Sequence, residues 1–417
     1  ESYSKPIYQI IPRILFAPAD FVFKGTTGSM ASWHDLGLWF NELLTARNFF
    51  NNTAKTRIHE LTDTCRNAKS KIALLYQLLE KSTRYVSILL GIGGMQPIAA
   101  SDVYNNGFGD CKGLSNYMRA MLNEAGICSN YAIISTKYNR QLPTFPSLDL
   151  FDHAILQVPL KGDTIWIECT APDLALGYVH SDIAGHDALV MTDDGGKLCR
   201  LPEYADTANI QHSDIDITLG PGRMALINMS QCSYMRQYED KLALVSAGDK
   251  ERKEYINDAM KVPDADISKM DVTLHKQSYS VPSIQIDGCI SSHGYANLTG
   301  SRLFVPLNPS HRGFSIPESN NVRKHDIYKS YGYIDEENIT IHIPTGFTLE
   351  AYPRDTICQS PFGKLAFSLA HKGNGIKVNY KLLMNKGLFS ADKYSQLYDF
   401  MKLLASLYSQ KIVLKKI

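Results

Sequence analysis

The chain has 417 residues, of which 44% are hydrophobic and 20% charged, and its net charge is +1. That length exceeds one ordinary core and predicts two or three domains. A balance so near neutral gives no electrostatic footprint for nucleic acid or an anionic membrane surface, and no apolar run reaches the roughly 18 residues of a membrane-spanning helix.

Residues 1–60 mix apolar and turn segments and read as the end of a β-domain plus a helix. Ser32-Trp33-His34-Asp35-Leu36-Gly37-Leu38-Trp39-Phe40 opens that helix, which runs on through Leu43 and Leu44. Ile72, Leu75, Leu78 and Leu79 recur at helical spacing and predict a second helix over 67–82. Tyr85 to Leu90 reads as a short strand. After Cys111, Leu114, Met118, Met121, Leu122 and Ala125 fall on one helical face, with Gly126 as the stop. Strands are predicted over 131–135, 154–158 and 164–168, separated by turn residues such as Pro143, Pro146, Gly162 and Asp163. Residues 61–204 therefore read as a core in which a cysteine-bearing helix packs on an antiparallel sheet.

From about residue 205 the texture turns to strands, predicted over 214–219, 224–229, 271–274, 283–286, 302–305, 337–343 and 376–382, with one polar helical stretch over 239–260. Asp335-Glu336-Glu337-Asn338 and Pro344-Thr345-Gly346 look like turns. Ser390 is the expected N-cap of a last helix with Leu397, Phe400, Met401, Leu404 and Leu407 on its apolar face. Ile412-Val413-Leu414 ends the chain as a strand. The predicted class is α+β, with a β-sandwich-rich C-terminal domain over 205–417 that carries a terminal helix.

The eight cysteines are scattered and include no CxxC pair, which argues against a zinc ribbon or a redox dithiol. Isolated thiols are the expectation, with one or two disulfides open if the protein is exported. Cys111 differs from the rest. It lies in Gly109-Asp110-Cys111-Lys112-Gly113, where a turn opens a helix. The partial positive charge of a helix N-terminus favours thiolate, and the neighbouring Lys112 should add to that. Downstream, His153 and Glu168 each sit on a predicted strand. Nucleophile, base and orienting acid in that order are what thiol-based acyl transfer needs. The Cys111 backbone N–H, unsatisfied at a helix start, could receive the oxyanion, with Gln96 as a second donor. His180, Asp182, His186 and Asp187 lie in a predicted loop without metal-ligand spacing, and no metal site is expected there. Residue by residue, a small core cysteine and a strand histidine remain the bland alternative.

The surrounding residues reverse that weighting. Gly109-Asp110-Cys111-Lys112-Gly113-Leu114-Ser115, Asp152-His153-Ala154 and Trp166-Ile167-Glu168-Cys169-Thr170 resemble the transglutaminase-like superfamily, most closely its bacterial multidomain members. Arg84-Tyr85-Val86, Gly93-Gly94-Met95-Gln96-Pro97 and Gly177-Tyr178-Val179 fit the same pattern, and the likeness runs over nearly the whole chain. The resemblance implies a papain-like core with Cys111 as nucleophile, His153 as base and Glu168 as third member, where the family commonly has Asp. It implies a peptide or other amide-bearing substrate, no cofactor and no metal. It also implies a bacterial envelope protein, periplasmic or otherwise exported, with a cell-envelope partner. Such cores serve peptidases, amidases and crosslinking transferases, so the fold does not choose the reaction. The competing expectation is a non-catalytic envelope scaffold whose triad is vestigial.

Overall fold

The computed structural model describes residues 1–88, 91–221, 223–260, 262–310, 314–318 and 323–417. The chain is α+β and divides into two compact units. One consists of Arg13–Tyr204 with Lys276–Pro282, the other of Glu1–Pro12, Ala205–His275 and Ser283–Ile417.

The first unit opens with a hairpin, β1 (Asp20–Phe23) and β2 (Thr26–Ser29). Five helices follow: α1 (Trp33–Leu44), α2 (Asn52–Thr62), α3 (Ala68–Ser82), α4 (Ala100–Asn106) and α5 (Cys111–Glu124). A short parallel pair, β3 (Arg84–Tyr85) and β4 (Phe108–Gly109), leads into α5. Of the strand expected to start at Tyr85, Leu89 and Leu90 lie outside the described residues. An antiparallel sheet of β5 (Asn130–Ile134), β6 (His153–Leu160), β7 (Asp163–Ile167), β8 (Asp187–Thr192) and β9 (Gly195–Arg200) completes the unit, in the order β7-β6-β5-β8-β9.

Local chemistry explains the helix starts. The side chains of Ser32, Asn67 and Asp110 accept from the backbone N–H groups of Asp35, Ser70 and Gly113, which caps α1, α3 and α5. Leu36 and Leu43 of α1, Ile58 of α2, Ile72 and Leu75 of α3, and Leu114 and Met118 of α5 bury together against one face of the sheet. A fully buried side chain of this size contributes about 1.5–3 kcal/mol. The helix before residue 60 therefore shares one core with those after it. The opposite face of the sheet is also buried: its Ile134, Ile155, Trp166 and Val190 pack with Val179 and Ile183 from outside the sheet. Burial on both faces is why β8 is a continuous apolar run rather than an alternating one.

The α1 helix lies directly on β9. A Cβ placed on Gly37 would stand 2.1 Å from the Gly196 Cα, and one on Gly196 would stand 2.1 Å from the Trp33 carbonyl oxygen. Only paired glycines allow that approach.

In the second unit, β10 (Ile210–Leu219), β11 (Ala225–Tyr234), β12 (Ala265–His275), β13 (Ser283–Ser292), β17 (Tyr333–His342), β19 (Thr356–Ser360), β20 (Gly363–Lys372) and β21 (Gly375–Met384) form one sheet, in the order β12-β13-β11-β10-β17-β21-β20-β19. Its central pair, β10 and β17, is parallel and the remaining pairs are antiparallel. A smaller sheet runs β14-β15-β23-β18, from β14 (Asn297–Thr299), β15 (Arg302–Pro306), β18 (Phe347–Ala351) and β23 (Lys411–Lys416). The strands β16 (Ile327–Lys329) and β22 (Gly387–Phe389) form a separate pair. One core joins Ile217, Ile341 and Val378 of the large sheet, Val305 and Ile412 of the small one, and Leu397 and Leu404 of the last helix.

The polar helical stretch expected over 239–260 is broken into α6 (Arg236–Glu239), α7 (Ala243–Ser246) and α8 (Asp249–Ala259). Ser390 does not cap the last helix, α9 (Tyr394–Tyr408). It precedes a single 3-10 turn, and Lys393 occupies the cap position without a side-chain bond. Asp335-Glu336-Glu337-Asn338 is not a turn but the middle of β17. Its acids face inward at alternate positions, and Glu337 accepts from Asn308 Nδ2 at 2.6 Å and Ser310 Oγ at 2.7 Å.

Candidate active site

Cys111 is the first residue of α5, half-buried, at the position where helix geometry gives a backbone N–H no intrahelical acceptor. His153 opens β6 and Glu168 directly follows β7, its antiparallel neighbour. The Ser115 hydroxyl donates to the Ala154 carbonyl at 3.1 Å and ties the nucleophile helix to the histidine strand. The structure thus brings Cys111, His153 and Glu168 together.

His153 stands between the other two. Its Nε2–H donates to Glu168 Oε2 at 2.7 Å, and the ring shares a cavity wall with Cys111. Burial alone would lower the imidazole pKa. The hydrogen bonds to Cys111 and Glu168, with their charges, overcome that and raise it to about 10. Burial likewise pushes the Glu168 carboxyl up, but donors from His153, His180 and Thr170 hold it well below the usual carboxylate range. Glu168 Oε1 accepts from the Thr170 N–H at 2.8 Å and the Thr170 hydroxyl at 2.6 Å. His180 Nε2 reaches Glu168 Oε2 at 3.3 Å. These clamps fix a side chain one methylene longer than aspartate. Cys169, next in sequence, is buried and its thiol is pushed up by that burial, so it stays protonated.

These shifts give a pH prediction. The folded carboxylate is lowered, so its contribution to stability is present above the ordinary value of about 4.3 and is lost as pH falls below it. The folded imidazole is raised, so its contribution is complete below about 6.5 and is lost as pH rises toward about 10. The pair's contribution should therefore be greatest between about pH 4.5 and 6.5. Urea melts across pH 5–10 should show stability falling on the alkaline side, and Glu168→Gln should flatten that slope.

Two expectations need correction. Lys112 does not spend its charge on the thiol, because its ammonium is in contact with the Asp110 carboxylate. Gln96 is also committed elsewhere: its amide nitrogen donates to the Leu43 carbonyl at 3.1 Å and its oxygen accepts from Arg47 at 2.9 Å. It does not line the cavity at Cys111. The loop residues around 180–187 are held by protein. His186 Nδ1 bonds the Ser135 carbonyl, and Asp187 accepts from the Gln141 N–H and from Arg200.

Sequence reasoning missed His180 as a partner of Glu168. Gly177-Tyr178-Val179 immediately before it was the available signal. Among the described residues, His153, Glu168 and His180 are a cluster whose ligand atoms lie within 4.8 Å of one another. The separation of 2.7 Å from His153 to Glu168 is that of a hydrogen bond. Two ligands of a tetrahedral zinc with bonds of about 2.0 Å would stand roughly 3.3 Å apart. The His153–Glu168 contact therefore has the spacing of a hydrogen bond rather than of two zinc ligands.

The hydroxyl of Tyr131 on β5 was also missed. The residue lines the same cavity, and its hydroxyl is buried with no hydrogen-bond partner among the described residues.

Comparison with known proteins bears on the fold. Residues 301–414, within the second unit, match the family described as a Domain of Unknown Function with solved-structure structure, DUF3858. No curated protein matches the chain. A crystal structure from Parabacteroides distasonis, of a protein provisionally assigned as a protease, aligns over 91% of this chain with a TM-score of 0.54 at 13% identity. The two share a fold. The chain spans 58% of that protein's length. Baculovirus P35 aligns over 50% of this chain and 96% of its own, at 8% identity, but its TM-score of 0.13 carries no fold argument. Among the described residues no helix is long and apolar enough to cross a membrane.

Proposed function

We propose that the chain is a thiol-dependent acyl-transfer enzyme of transglutaminase-like type, acting at an amide bond as a peptidase, amidase or transglutaminase. The observation that carries this reading is His153, bonded to the Glu168 carboxylate at 2.7 Å, in a cavity that Cys111 also lines. The sulfur would attack the amide carbonyl carbon while its proton rests on His153. The oxyanion would be met by the Cys111 backbone N–H. Collapse would break the C–N bond, and the proton on His153 would pass to the departing amine. Water, or a second amine, would then cleave the thioester with His153 as base. Glu168 would keep the imidazole in the tautomer and orientation that this sequence needs.

The test is alkylation of Cys111 by iodoacetamide against pH, read by peptide mass spectrometry, in wild type and His153→Ala. An ordinary thiol of pKa about 8.5 is only a few per cent ionised at pH 7, so His153→Ala should slow labelling there by about tenfold or more. Equal rates in the two proteins would overturn the reading.

A further inference from the structure

The cavity that reaches Cys111 and His153 has a volume of about 270 Å³. Its walls come from separate elements: Phe40 of α1, Met95, Ile133 of β5, and Leu148 and Phe151 of the segment before β6. These walls are apolar. An engineered apolar cavity of about 150 Å³ admits benzene, so this one has room for a single aromatic or branched aliphatic side chain.

Both carboxylates in the lining already accept hydrogen bonds, and one of them also holds Lys112. Asp110 caps the Gly113 N–H at 2.8 Å and contacts Lys112. Asp152 accepts from the Thr136 N–H and the Thr136 hydroxyl, both at 2.8 Å. An anionic guest would lose its hydration beside two carboxylates, and a cationic one would compete for Asp152, whose two oxygens Thr136 already holds. A neutral apolar one would gain buried area. Cys111 itself lines the cavity, and the group bonded to sulfur in a thioester is the acyl portion of the substrate.

We infer that this cavity is the acyl-side specificity pocket and that it takes a neutral apolar side chain adjoining the scissile amide. The inference rests on the thiol acyl-transfer reading and narrows its substrates to peptides or acyl amides with a large apolar residue at that position.

The experiment uses the full chain and N-acetyl-aminoacyl acyloxymethyl ketones in which the residue is Phe, Leu, Ala, Glu or Lys. The sulfur displaces the carboxylate from the methylene carbon. A C–S bond forms, the C–O bond breaks, the carboxylate leaves with the electron pair, and the thiol proton goes to His153. Second-order inactivation rates are measured, with iodoacetamide as the side-chain-free control. The Phe or Leu reagent should react roughly 10- to 100-fold faster than Ala, and Glu and Lys no faster than Ala. Leu148→Lys, a change at a half-buried position of the wall, should narrow or reverse the gap between Phe and Glu.

Normal iodoacetamide labelling with no preference across the panel, or a preference for Glu or Lys, would overturn the pocket assignment and leave the triad reading standing. A Cys111 inert to iodoacetamide as well would overturn both.

Discussion

Glu168→Gln should cut turnover of the best amide substrate by about 10⁴-fold, the loss seen when the acid of a serine-protease triad becomes its amide. The geometry dictates which way the new amide sits. Thr170 presents two donors to Oε1, so the carbonyl oxygen of glutamine stays there. That turns the NH2 toward His153 Nε2, where the carboxylate now accepts at 2.7 Å. The amide would donate to Nε2 and force the ring proton onto the nitrogen that faces Cys111. An imidazole in that tautomer cannot take the thiol proton. The fold should survive, because shape and the Thr170 bonds are kept. Alkylation of Cys111 in the variant, alongside the urea midpoint, checks this without a substrate. Glu168→Asp should fall between, since the shorter chain cannot reach Thr170 and His153 together. Wild-type turnover in Glu168→Gln would show that the carboxylate plays no part in orienting the imidazole.

Gly37→Ala should destabilise the first unit by about 2 kcal/mol or more, near the upper part of the range for overpacking. Alanine favours a helix over glycine by about 1 kcal/mol, so an exposed or roomy site would give the opposite sign. Here the added methyl meets the Gly196 backbone at 2.1 Å. Backbone cannot rotate aside as a side chain can, so α1 must lift from β9. Phe40 on the same helix walls the cavity beside Cys111, and the displacement should reach the site as a slower reaction with bulky electrophiles. Urea denaturation of the variant measures the first effect. A midpoint at or above wild type would show that the contact is looser than it stands here.

Local signals were readable in the sequence and long-range ones were not. The helix that begins at Cys111, the apolar stripe of α5 and the placement of His153 on a strand each depend on a few neighbouring residues, and Glu168 falls one residue past the end of β7. Gln96 was misplaced because its partner Arg47 lies 49 residues away. Lys112 was read for its charge alone, while the buried Asp110 two residues earlier takes that charge up. The acids at 335 and 337 suggested a turn, since carboxylates are scarce in strands. For Glu337 the donors that make burial tolerable, Asn308 and Ser310, come from a distant segment. His180 sits in a loop with no periodicity to reveal its contact with Glu168.

The parallel pair at the centre of the large sheet has a consequence for the time course of synthesis. The β10 strand ends at Leu219 and its neighbour β17 begins only at Tyr333. At roughly 5–20 residues per second, that edge of β10 waits on the order of 10 s on the ribosome with its backbone groups open. An unpaired strand edge is a template for association between nascent chains. His212, Asp214 and Asp216 alternate along β10, and in the finished sheet Asp214 meets Asn338 at 3.0 Å and Asp216 meets His342 at 2.7 Å. During the wait the same polar side chains make the edge a poor match for a second copy. A cross-strand contact in the mature protein doubles as a guard for the nascent one.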